Sequence, residues 1–191
     1  MNLSHEQASS ALQDIAQAQR RFGVFSGYHR AAPHLWLWGV IWIVGYGITD
    51  FAPAYAGWSW LVLDVGGILT GMVIGRRQES AAGQTAWGGE NHWIPQRMIG
   101  IALAIVVFIF ATFDMLRPQN LVQYSAFPVL LMGLLYSLAG VFAGLRWLVT
   151  GLALTAVSLL GYHFIEQHAL LWLGACGGGT LILSGLWMRG R

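Results

Sequence analysis

The sequence predicts an all-α integral membrane protein: a six-transmembrane-helix bundle preceded by an N-terminal cytoplasmic amphipathic helix. Three observations carry that reading. The 191 residues are 56% hydrophobic and only 9% charged, with a mean hydropathy of +0.57, whereas soluble domains carry about a quarter charged residues. The apolar residues gather into six segments, each long enough for a hydrocarbon core about 30 Å thick. The arginines fall almost entirely on one side of a six-span threading. The same composition excludes a disordered chain, and a single cysteine excludes a disulfide scaffold.

Residues 1–32 carry Glu6 and Asp14 and no apolar run, which distinguishes them from a signal peptide. Ser4 followed by Gln7 resembles a capping box, and Ala8, Leu12, Ile15, Ala18 and Phe22 recur at helical spacing. A cytoplasmic amphipathic helix is expected there, running through Phe25-Ser26-Gly27-Tyr28 into the first span. Two roles fit it: docking to a cytoplasmic protein or to a second copy, or resting on the membrane surface.

The spans are expected at 33–51, 57–75, 98–116, 126–144, 147–164 and 169–188. Trp36, Trp38, Trp58, Trp60, Trp147, Trp172 and Trp187 lie near their ends, as interfacial anchors do. Most connections are short and imply antiparallel neighbours. The exception is loop 76–97, a second candidate surface for a cytoplasmic partner.

Arg20, Arg21, Arg30, Arg76, Arg77, Arg97, Arg146, Arg189 and Arg191 share one side of this threading, and Arg117 takes the other. By the positive-inside rule both termini and loop 76–97 are cytoplasmic. The chain has no lysine, a bias we read as the codon usage of a GC-rich bacterium, which places the protein in a bacterial inner membrane. A net charge of +2, scattered along the chain, excludes a nucleic-acid surface, which needs a clustered basic stripe.

Gly67, Gly71 and Gly75 make consecutive GxxxG steps, and Gly140 with Gly144 and Gly174 with Gly178 make others. Such spacing lets helix backbones approach closely. It serves packing within one bundle or a homo-oligomer, and the former is the more ordinary use. A faint parallel repeat relates Gly45-Tyr46 through Arg76-Arg77 to Gly161-Tyr162 through Arg189 and Arg191.

Asp64 is the polar residue in the costliest place, seven residues into the second span and roughly 10 Å below its outer end. It reads either as a proton or cation site facing the bundle interior or as a structural acid. In the second case Ser59, Tyr136, Ser158 or Tyr162 would supply the hydrogen bond. Asp50, Asp114, His163, Glu166 and His168 fall on the same outer side. Asp50 and Asp114 end outward-running helices, where the dipole disfavours an anion, and Arg117 offers Asp114 a partner. His163 and Glu166 share a face if the fifth helix continues that far. The group could form an outward proton site; no recognised ligand spacing is present, so no metal is expected.

Gly27-Tyr28-His29 and Gly161-Tyr162-His163 look alike, but the threading puts the two histidines on opposite sides, which defeats a haem pairing. Cys176, in a glycine-rich stretch of the last span, reads as an inert small hydrophobe. No Walker A, GxSxG, Rossmann or kinase signature occurs. We therefore expect no enzyme and no cofactor.

Leu12-Gln13-Asp14-Ile15, Arg20-Arg21-Phe22-Gly23-Val24-Phe25-Ser26-Gly27 and a glycine-rich first span open the chain. Leu131-Met132-Gly133-Leu134-Leu135-Tyr136, Arg146-Trp147-Leu148, Leu170-Leu171-Trp172 and Gly185-Leu186-Trp187-Met188 lie toward its end. These stretches resemble uncharacterised bacterial six-span membrane proteins often encoded beside a winged-helix regulator. The resemblance implies no catalytic or binding residues. Two functional expectations follow from the residues. One is a non-enzymatic sensor or accessory protein acting through residues 1–32 and loop 76–97. The other is a small proton- or cation-linked transporter or channel centred on Asp64. A dry bundle with Asp64 hydrogen-bonded favours the first; Asp64 facing a cavity favours the second.

Overall fold

A computed structural model describes the backbone of residues 5–81 and 93–190 and the side chains of 26–78, 80 and 100–190. Helix α1 (His5–Phe51) is followed by a 3₁₀ turn at Pro53–Tyr55, then α2 (Ala56–Ala81), α3 (Trp93–Leu116), α4 (Leu121–Ala143) and α5 (Leu145–Phe164). The last span joins α6 (Ala169–Trp172), a π-helical segment (Leu173–Gly178) and α7 (Gly179–Arg189). No strand occurs among the described residues. Ser26–Phe51, Pro53–Gln78, Leu121–Ala143, Leu145–Phe164 and Ala169–Arg189 are each long and apolar enough to cross a membrane. Gly100–Leu116 is a shorter apolar helix, within the segment where the third span was expected.

The first span, expected from residue 33, extends further back, because helix continues unbroken through Pro33 and Ser26–Phe51 as a whole is long and apolar enough to cross a membrane. Burial explains the extension: Tyr28 and Ala32 are both enclosed, and the Arg146 guanidinium lies 5.2 Å from the Tyr28 ring centroid. The amphipathic face expected within residues 1–32 involves side chains outside the described ones up to residue 25, as does most of loop 76–97.

Helices in lipid gain little from burying apolar surface against each other, so close packing has to hold them. The central contact is between α1 and the last span. A Cβ built on Gly178 would stand 2.5 Å from the Gly39 carbonyl oxygen, and one on Gly39 would stand 2.7 Å from that of Gly178. Further along, Gly174 abuts Tyr46 and Gly177 lies against the Trp42 ring, while Gly185 meets the Trp36 indole. The order of these contacts makes the pair antiparallel. Arg189 covers the Trp36 ring at 5.3 Å. Arg146, near the start of α5, donates to the Trp187 carbonyl at 2.7 Å and the Gly190 carbonyl at 3.1 Å. It thereby caps α7, whose last carbonyls have no helical partner.

Glycine also governs the other pairs. Gly67 of α2 receives Ile41 and the edge of Trp38, and Gly71 faces His34, so the first step of this stripe lies against α1, while a Cβ on Gly75 would meet nothing within 4 Å. Between α4 and α5, Gly140 lies directly on Leu148, Gly133 on Thr155 and Gly151 on Ser137. Those two helices are joined through the single residue Gly144, whose φ of 110° is a backbone conformation suited to glycine. Asn120 caps α4 by accepting from the Gln123 amide at 2.9 Å, as an N-cap side chain should. Helix α3 meets α4 through aromatic rings: Phe113 packs edge-on against Tyr124 at 5.0 Å and against Phe127 at 5.3 Å.

Adjacent glycines supply a test of the central contact. Gly178→Ala is expected to destabilise the protein by about 1–3 kcal/mol through overpacking against Gly39. Gly179→Ala, with nothing within 4 Å of the added methyl, is expected to be neutral or slightly stabilising. Unfolding of the two variants by denaturing detergent checks this, and equal stabilities would contradict the packing described.

Candidate functional site

Asp64 lies on the wall of a chamber of about 460 Å³ between α1, α2 and α4, with Leu181 of α7 also on the wall. The residues reach it by helical spacing. Trp38, Trp42 and Tyr46 follow at i, i+4 and i+8 on α1; Trp60 and Asp64 stand at i and i+4 on α2. Tyr124, Pro128, Met132 and Tyr136 continue the same step on α4, with Ser125 beside them. Each helix therefore turns one stripe toward the chamber. Helix α2 packs on α1, and α4 packs on α5, without a comparably close backbone approach between α2 and α4.

Hydrogen bonds fix the aromatic wall. The Tyr46 hydroxyl donates to the Ser125 carbonyl at 2.9 Å, linking α1 to α4. The Trp60 indole donates to the Thr49 hydroxyl at 3.0 Å, and that hydroxyl donates to the Gly45 carbonyl at 2.7 Å. Tyr46 packs edge-on against Trp60 at 5.0 Å and against Trp42 at 6.1 Å. Pro128 has no N–H, so the Tyr124 carbonyl one turn back lacks its helical donor.

The Asp64 carboxylate is half-buried and has no hydrogen-bond or ion-pair partner among the described residues. Of the donors that sequence offered, Ser59 and Ser158 donate elsewhere, and Tyr162 meets a different side chain. Ser59 donates to the Ala56 carbonyl at 2.9 Å and Ser158 to the Ala126 carbonyl at 3.3 Å. The Tyr162 hydroxyl accepts from the Gln123 amide at 3.1 Å. Tyr136 does line the chamber with Asp64, without a hydrogen bond between them.

Of the other acids and histidines, the fold brings one pair together. His168 Nδ1 meets Asp50 Oδ2, joining the end of α1 to the turn before α6. His168 takes a left-handed backbone conformation there, with φ 57°, and its ring packs on Phe51 at 5.7 Å. The imidazole thus supplies Asp50 with the partner that its helix end does not. Asp114 is exposed and makes no ion pair with Arg117, whose φ of 43° turns the chain away from the helix. His163 and Glu166 do not share a helical face, because α5 stops at Phe164 and Ile165 is extended. His163 instead packs edge-on against Tyr162 at 5.1 Å, beside a separate apolar cavity of about 340 Å³. Among the described residues, no three His, Cys, Asp or Glu side chains converge as a metal site would require.

Sequence reading placed Trp38 and Trp60 at the membrane interface, and the structure puts both on the chamber wall. Trp42 was given no role, and Tyr46 only a place in a faint repeat. The four-residue step from Trp38 through Trp42 to Tyr46, matched by Trp60 and Asp64, was the available signal. Trp58 is the tryptophan of that hairpin that does face outward, at 73% exposed.

The Asp50–His168 contact carries a measurable coupling. His168 is 60% exposed, so a double-mutant cycle with Asp50→Asn and His168→Gln is expected to give about 0.2–1 kcal/mol. The Asp50 side chain is only 9% exposed, so the screening comes from the histidine side, and a coupling above about 3 kcal/mol in detergent unfolding would contradict it.

No protein-family model matches this chain, and it matches no curated protein and no solved structure.

Proposed function

We propose that the chain is a small cation-linked transporter or channel with Asp64 as its central acid. The single observation that supports this is a carboxylate at membrane depth that faces a chamber without a hydrogen-bonding partner. An acid kept for structure would be hydrogen-bonded to a neighbouring helix, because an unpartnered carboxylate inside the membrane costs several kcal/mol. Leaving the group free is sensible where a cation or proton visits it.

In this reading the protein sits in a bacterial inner membrane with six spans and cytoplasmic termini, α3 being the third. The chamber then reaches from the outer side of the bundle into its middle, since Trp60 and Asp64 lie in the first turns of an inward-running α2 while Trp38 and Tyr136 lie deeper. The arginine distribution supports the orientation. The sensor or accessory reading rests on residues 1–32 and loop 76–97, largely outside the described side chains.

The span count has a direct test in a Cys176→Ala background. A cysteine at position 117 is expected to react with a membrane-impermeant thiol reagent in intact cells. One at position 77 is expected to react only after permeabilisation. Equal reactivity at both positions would remove α3 as a span and contradict the topology.

Function is tested by reconstituting the purified chain into liposomes and recording flux of protons, K⁺ and an organic ammonium ion beside Asp64→Asn. Asparagine keeps hydrogen-bonding capacity but cannot carry the charge or cycle a proton. Flux in the wild type that falls at least tenfold in Asp64→Asn is the expected result. Wild-type liposomes that leak no more than empty ones, or a variant as active as the wild type, would reject the reading.

A further inference from the structure

We propose that the chamber between α1, α2 and α4 binds a hydrophobic organic ammonium ion, held by the Asp64 carboxylate among the indoles of Trp38, Trp42 and Trp60. This rests on the reading of Asp64 as a cation site, and names the class of cation.

The chemistry of the wall selects that class. A small inorganic cation gives up its water only where oxygens replace it, six to eight for calcium and rings of carbonyls for potassium. Here the oxygens are few. Besides Asp64 there are Ser125 and the tyrosines, and the Tyr46 hydroxyl is already committed to the Ser125 carbonyl. Most of the wall is instead aromatic, with three indoles and three phenol rings contributed by three helices. Aromatic rings attract cations through their quadrupole, most strongly for tryptophan and most effectively away from water. A quaternary ammonium has no N–H to satisfy and spreads its charge over carbon, so it loses little on leaving water and gains most from such a wall. One fixed negative charge matches one positive charge.

Size and access agree. A chamber of about 460 Å³ falls within the range of roughly 300–1,000 Å³ typical of small-molecule sites. It is far larger than a dehydrated metal ion needs. The looser boundary between α2 and α4 gives a lipid-soluble cation a route from the bilayer.

The wall is also built to hold its shape. Trp60 is tethered through Thr49 and Tyr46 through Ser125, and Trp42 lies against Gly177 of the π-helical segment. A cage whose rings are fixed before binding loses less on ordering them.

The test is isothermal titration of the detergent-solubilised full chain with benzyltrimethylammonium chloride. Its uncharged carbon isostere, neopentylbenzene, controls for partition into the micelle. Saturable binding of the ammonium and none of the isostere is expected. Asp64→Asn is expected to weaken binding at least tenfold. Trp60→Leu is expected to weaken it about tenfold, and Trp60→Phe, which keeps an aromatic ring, by less. If Trp60→Leu does not fold, Asp64→Asn and Trp60→Phe decide the matter. Binding that Asp64→Asn leaves unchanged overturns the proposal, as does a Trp60→Leu protein that binds like the wild type. A wild type that shows Asp64-dependent flux of protons or K⁺ but binds no ammonium overturns this inference and leaves the reading of Asp64 standing. Neither flux nor binding overturns both.

Discussion

The backbone contact between Gly39 and Gly178 is the constraint on which the rest of the bundle depends. In hydrocarbon there is little to gain from burying one apolar helix against another, so association follows from how closely backbones can approach. Here the approach is so close that a single methyl at either position would meet the opposite carbonyl. The last span accommodates it with a π-helical segment rich in glycine, Leu173–Gly178, in which Gly174, Gly177 and Gly178 all turn toward α1. Bulges of this kind occur where a helix must present an unusual surface. The arginines then close the same pair at its other end, Arg146 by capping α7 and Arg189 by covering Trp36.

The orientation of α1 sets the chemistry of the chamber. With its glycine face against the last span, the stripe of Trp38, Trp42 and Tyr46 faces α2 and α4. Helix α2 is seated on α1 through Gly67 and Gly71, and this fixes the position of Asp64 four residues beyond Trp60. Small residues therefore serve packing within the chain, and large aromatic ones surround the space the packing leaves. A carboxylate facing lipid would be driven toward the interface. Asp64 instead faces a chamber lined by indoles and phenols, which is what the proposed role as counter-charge for a cation requires.

Much of the helical architecture was legible in the sequence because it depends on composition and length. Spans expected at 126–144, 147–164 and 169–188 differ from the helices by a few residues. Asp64 stood out on local grounds, since a charged residue in an apolar run needs no partner to be noticed. What depended on distant contacts was hidden. The partner of Asp50 is His168, 118 residues away, and nothing near Asp50 hints at it. The face His163 and Glu166 were expected to share vanished because the helix ended at Phe164, before it reached Glu166. Trp38 and Trp60 were misread for a related reason. An interfacial anchor and a cavity wall draw on the same residue near the end of a span, and only the neighbouring helix decides between them. Trp58 and Trp60, two residues apart, took opposite fates.

At the centre of this structure is an acid kept free and reachable inside an aromatic chamber. The most direct test is chemical. A hydrophobic carbodiimide, which reacts with membrane-embedded carboxylic acids, is applied to the purified chain, and the modified residue is found by mass spectrometry. An adduct at Asp64, reduced severalfold when benzyltrimethylammonium is present, is the result expected of an accessible acid that a cation covers. A chain left unmodified at Asp64, or modified equally with and without the ammonium, would contradict it.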